Sequence, residues 1–149
     1  MRLKEKLYNQ CQDALKHRLE VIKNTISDIQ GSLQSETKST AGDKHETGRA
    51  MLQLEREKAG NQLAELQKQI EILHKINADV SHSKVALGSI VKTSGSNYFI
   101  SVSVGELKVG NEIFYAISLS TPIGQLLVSK TAGDNIQFRA QKFTITEVL

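Results

Sequence analysis

The sequence has little that would tie it down covalently and few large side chains. It has one cysteine, Cys11, so no internal disulfide can form and a cysteine-based zinc site is excluded. Cys11 falls on the apolar side of an expected helix and is read as a small buried filler. Tryptophan is absent and only seven residues are aromatic, with 39% of the chain apolar, so a core can form but not a large one along all 149 residues. No apolar stretch reaches the ~18 residues of a membrane span, and Met1-Arg2-Leu3-Lys4-Glu5-Lys6 lacks the apolar run of a signal peptide. A cytoplasmic protein with no membrane partner is the expectation. No single sign of charge dominates. Net charge is +3, and the first 80 residues carry 13 basic against 12 acidic side chains, the mixed surface of exposed helices rather than a nucleic-acid-binding stripe.

What the chain does have is long-range periodicity. Leu15, Leu19, Ile22, Ile26, Ile29 and Leu33 alternate in steps of four and three, the seam of a coiled coil. Leu3, Leu7, Cys11 and Ala14 continue that stripe out of phase, which predicts a register shift near its base. A second stripe reads Leu52, Ala59, Leu63, Leu66, Ile70, Leu73, Ile76 and Val80. Folding back at residues 41–42 pairs Ile29 with Leu54, Ile22 with Leu63 and Leu15 with Ile70. An antiparallel helical hairpin over 1–80 is expected, each arm roughly 50 Å long for about 33 residues. The alternative is a coiled coil that dimerises between chains. The polar bend and short arms favour the monomeric hairpin.

Near Ser81-His82-Ser83-Lys84 the pattern gives way to short β-branched runs. Five strands are expected, at Ser89–Thr93, Tyr98–Val104, Glu112–Leu119, Asn135–Arg139 and Phe143–Val148, with turns at Gly105, Gly110-Asn111 and Gly133-Asp134. Thr121 can cap, and Pro122 can open, one short helix. The fold class is therefore α+β, with a small antiparallel β domain over 85–149. Its expected core includes Ile90, Phe99, Val102, Ile113, Tyr115, Ile117, Leu127, Ile136 and Ile145. No cluster there suggests catalysis, so this domain reads as a docking module.

The bend carries two acids three positions apart, Asp43 and Glu46, at the expected start of the second helix. Residues so spaced are helical neighbours, so both carboxylates can face one ion. Mg²⁺ demands more oxygen ligands than two carboxylates supply, so the pair would bind metal weakly alone. The competing reading is a capping box, with Asp43 as N-cap and Glu46 at N3, both suited to the positive end of the helix. Lys44, His45 and Arg49 are the basic and titratable neighbours of the pair at the tip; solvation is the favoured account of Lys44, and His45 is a candidate pH-sensitive modulator. His17, His74 and His82 show no ligand spacing and are expected to be ordinary surface residues.

Three stretches resemble the bacterial Gre transcript-cleavage factors, which act in transcription elongation. Gly42-Asp43-Lys44-His45-Glu46 is similar to that family's Gly-Asp-x-x-Glu tip. Thr121-Pro122-Ile123-Gly124-Gln125-Leu126-Leu127, running on to Gly133-Asp134, is similar to the C-terminal signature, and Leu87-Gly88-Ser89-Ile90-Val91 looks like the family's first strand. The resemblance implies an FKBP-like C-terminal domain that docks on RNA polymerase, with the hairpin entering the secondary channel. It also implies that the chain is an accessory factor and not itself an enzyme. Asp43 and Glu46 would act at catalytic Mg²⁺ held by the polymerase, close to the nascent RNA 3′ end, and Ser120, Thr121 and Pro122 would form the docking turn. The chain departs from the pattern at Thr47, where Asn is usual, at Ala50, where an aromatic is common, and at Ser120, where an acid is often found. The first two departures leave open a channel-binding regulator without cleavage activity. A prolyl isomerase or chaperone module is a further alternative, disfavoured by the few aromatics in 85–149.

Overall fold

The computed structural model describes residues 2–38 and 43–149, and the side chains of all of these except 36–38 and 43–46. The bend expected at 41–42 lies outside the described residues. Two long helices come first, α1 (Leu3–Lys38) and α2 (Asp43–His74). Six strands and a short helix follow: β1 (Ile90–Thr93), β2 (Asn97–Ile100), β3 (Gly105–Val109), β4 (Glu112–Ile117), α3 (Pro122–Leu127), β5 (Asn135–Phe138) and β6 (Gln141–Val148). The chain is thus α+β. No helix among the described residues is long and apolar enough to cross a membrane.

The molecule divides into two compact units, residues 15–69 and residues 1–14 with 70–149. The division cuts through both long helices rather than falling near Ser81–Lys84, where the composition changes. In the 15–69 unit the inward positions follow the predicted stripes. Leu15, Ile29, Ala59 and Leu66 are buried, while Leu19, Ile22, Ile26, Leu33, Leu52 and Leu63 are half-buried. Arg49 Nη1 on α2 donates to the Leu33 carbonyl on α1 at 3.3 Å. Leu54, expected opposite Ile29, is instead 66% exposed, and Leu52 takes the inward place.

In the other unit the out-of-phase stripe has a physical cause. Leu7 and Cys11 are fully buried, and Cys11 Sγ lies 3.6 Å from Ser101 Oγ, so the first turns of α1 face the segment after β2. Leu73 and Ile76 are buried in the same unit, whereas Val80, predicted to extend the stripe, is exposed.

The sheet runs β3-β4-β2-β1-β6-β5. It corrects the expected antiparallel domain of five strands in two ways. There are six strands, because Gly105, expected as a turn, opens β3, which pairs antiparallel with β4 from Gly105↔Ala116 to Val109↔Glu112. And β2 pairs with β4 in parallel, so the sheet is mixed. The chain leaves β2, forms edge strand β3 and returns beside β2. The two-residue turn Gly110-Asn111 joins β3 to β4, and Gly110 takes φ 62°, the place glycine holds in a II′ turn.

One core cluster comprises Val85, Val91, Ile100, Leu127, Ile136 and Ile145, with Tyr98, Ile117, Ile123 and Phe143 packed around it. Phe99, Phe114 and Ile90 are fully buried, and by strand alternation they belong to the opposite face. On β4 the expected pattern is displaced by one residue: Phe114 and Ala116 are buried, whereas Ile113 and Tyr115, both predicted core, are 41% and 38% exposed.

Candidate functional site

The predicted tip and docking turn lie in different units, and each is described alone. At the tip, α2 begins at Asp43, so Asp43, Lys44, His45 and Glu46 occupy its first turn. The backbone amides there have no intrahelical partners and carry the positive end of the helix dipole, which favours negative charge. With Asp43 as the first helical residue, Glu46 is the fourth, so the expected capping box with Asp43 as N-cap and Glu46 at N3 is displaced by one position, while both acids still lie at the positive end of the helix. The side chains of Asp43, Lys44, His45 and Glu46 lie outside the described residues. Arg49 does not point away as a free cation: its guanidinium donates to Leu33 O. Thr47 and Ala50, where the sequence departs from the resembled pattern, are both exposed.

The second predicted site is built by capping. Thr121 has extended backbone and is the N-cap of α3, its Oγ1 accepting from Gly124 N at 3.2 Å while donating to Ser118 O at 2.7 Å. Pro122 occupies the first helical position, where the missing N–H costs no bond. Ser120 N donates to Ser118 Oγ at 3.1 Å, the two serine hydroxyls are 2.9 Å apart, and Gln125 Nε2 donates to Leu119 O. Gly124 is buried, and a Cβ there would stand 2.3 Å from Ser118 O, so only glycine fits without a shift of the backbone. Ser120 and Pro122 are exposed and Thr121 half-buried, so the turn is accessible, with its polar groups largely bonded internally. The downstream Gly133-Asp134 pair also has a local task. Gly133 takes φ 95°, and Asp134 Oδ2 accepts from Thr131 N at 2.8 Å and from Thr131 Oγ1 at 3.3 Å.

Three features were not singled out from the sequence. An open groove in the 15–69 unit has an apolar floor of Val21, Ile22, Leu54 and Leu66, flanked by charges of both signs such as Arg18 and Glu65. Gln10 uses its side-chain amide like a short strand on β3, donating to Lys108 O at 2.9 Å and accepting from Lys108 N at 3.4 Å. Lys4 is buried, with Nζ donating to Val80 O at 2.6 Å and lying 3.5 Å from His82 Nδ1. His82 is therefore half-buried beside a cation and not the surface residue expected. No local motif marks any of these three, since each joins residues far apart in the chain.

Burial pushes the Cys11 thiol up to about 11, with the Ser101 hydrogen bond opposing, so it remains a protonated, inert core group at neutral pH. Among the described residues there is no cluster of three or more His, Cys, Asp or Glu that could hold a metal. No protein-family model matches the chain, and no curated protein matches it significantly.

Proposed function

We propose that this chain is a Gre-like transcription elongation factor. In this reading α1 and α2 form a coiled-coil hairpin that enters the secondary channel of RNA polymerase, and the β domain, with an FKBP-like fold, docks outside it. The supporting observation is the placement of Asp43 and Glu46 together in the first turn of a long helix that a second long helix precedes, with a sheet domain following. Two carboxylates in one turn cannot complete a Mg²⁺ shell, so they act where the polymerase already holds the ion. There they orient the attacking water and secure a second ion, so that the polymerase hydrolyses a backtracked RNA 3′ end. The chain is then an accessory factor that supplies ligands. Ser120, Thr121 and Pro122 form the docking turn because the cap network fixes their shape before contact.

The test is transcript cleavage in stalled, backtracked polymerase complexes. The wild-type chain should shorten the RNA. Asp43→Asn and Glu46→Gln should each lower cleavage by at least ~100-fold, the scale on which a positioned acid or base contributes, with polymerase binding retained. The exposed Thr47 and Ala50 favour a second reading, a channel-binding regulator that does not cleave. Polymerase binding with intact RNA selects that reading, and absence of binding removes both.

A further inference from the structure

Lys4, His82 and Leu149 meet in the unit made by residues 1–14 and 70–149, at the seam where α1 begins, the connector after α2 passes, and β6 ends. Lys4 is 7% exposed and is held by the Val80 carbonyl. His82 has one ring nitrogen 3.5 Å from the Lys4 ammonium and also bonds to the backbone of Leu149. Neutral imidazole meets both demands, with one nitrogen accepting from Lys4 and the other donating to the backbone. The imidazolium has no acceptor to offer and sets a second positive charge beside the first. Gly88 lies against one side of the half-buried ring: a Cβ added there would stand 3.7 Å from His82 Cε1 and 3.1 Å from Ile76 Cγ2. Leu149 in turn exchanges two backbone bonds with Ile90, N to O at 2.9 and 3.0 Å, so whatever displaces it disturbs the first residue of β1.

We infer that the Lys4–His82–Leu149 contact is an acid-released clasp: protonation of His82 loosens the join between the start of α1, the connector and the β1–β6 edge. The other charged groups carried by these elements are Arg2, which pairs with both Asp79 and Glu5, Lys6 on α1, Lys75 and Lys84 on the connector, Lys92 on β1, which pairs with Glu112, and Lys142 and Glu147 on β6. Asp79 and Glu5 are engaged by Arg2, and Lys4 is the cation in contact with the imidazole. Burial lowers the His82 pKa, the Lys4 charge lowers it further, and the Leu149 backbone bond opposes them. Burial likewise lowers that of Lys4. For a histidine whose folded value lies below its unfolded one, the stabilisation is present above the unfolded value of about 6.5 and is lost as pH falls through the folded value. The clasp thus holds at neutral pH and opens in mild acid. It is independent of the polymerase reading.

The test is an NMR titration of the His82 ring in the full chain, alongside amide exchange at Ile90 and Leu149. His82 should titrate below the ordinary histidine value of about 6.5, and Lys4→Met should move it upward. Protection at Ile90 and Leu149 should fall between pH ~7 and ~5, by up to about tenfold for each unit by which His82 is shifted. His82→Gln, which keeps an acceptor and a donor but does not titrate, should abolish that fall. The clasp is overturned if His82 titrates at or above the ordinary histidine value of about 6.5, if Lys4→Met leaves it unmoved, or if His82→Gln keeps the wild-type pH dependence. Should His82→Gln not fold, the Lys4→Met titration decides alone.

Discussion

Gly124 shows how little room the cap before α3 leaves. Thr121 Oγ1 must reach Gly124 N, which draws the helix start against the Ser118 carbonyl. Any Cβ at 124 would sit 2.3 Å from that oxygen, a backbone atom with no rotamer to change. Gly124→Ala should therefore destabilise the chain by about 1–3 kcal/mol, the usual cost of forcing volume into a packed site, seen as a lower urea midpoint with unchanged slope. This motif was legible in the sequence because capping is local: Thr121, Pro122 and the helix they open lie within a few residues of one another. The Lys4–His82 contact was not, because the two are 78 positions apart and nothing near either names the other.

Among the elements, β4 is the instructive case. Its residues, Glu112-Ile113-Phe114-Tyr115-Ala116-Ile117, are apolar at every position after the first, so alternation cannot say which set turns inward. Ile113 and Tyr115 have the stronger apolar signal by size, yet pairing with β2 and β3 buries Phe114 and Ala116 on the other face. The parallel pairing was equally hidden, since it depends on β3 occupying the edge. That edge is guarded. An outer strand with free amides invites pairing with another chain, and Gln10 occupies both backbone groups of Lys108. Gln10→Ala should cost about 1 kcal/mol and increase concentration-dependent association, measured by light scattering, whereas Gln10→Glu, which keeps only the acceptor, should fall between. The helices were the most legible elements. Their 3.5-residue spacing is sustained over many turns, and the buried and half-buried positions of the 15–69 unit follow it, with Leu54 the exception.

On the scale of the whole molecule, one compact unit is assembled from both sides of the other in sequence: residues 15–69 leave it after Ala14 and rejoin it at Ile70. Bridging two fixed points with a longer or shorter insertion changes closure entropy only logarithmically. Removing one matched heptad from each arm, residues 19–25 with 60–66, should therefore alter the stability of the sheet unit by roughly 0.3 kcal/mol, treated as a flexible loop. Thermal unfolding followed at β-sheet amides would check this, and a loss of several kcal/mol would show that the long arms support the sheet. Under the polymerase reading the same shortened chain should still bind and should fail to cleave. Under that reading, anchor and reach would be separate variables: insertions or deletions of seven residues matched in both arms would retune the span of the helices while the docking part stayed as it was, so span could drift to match the depth of the channel.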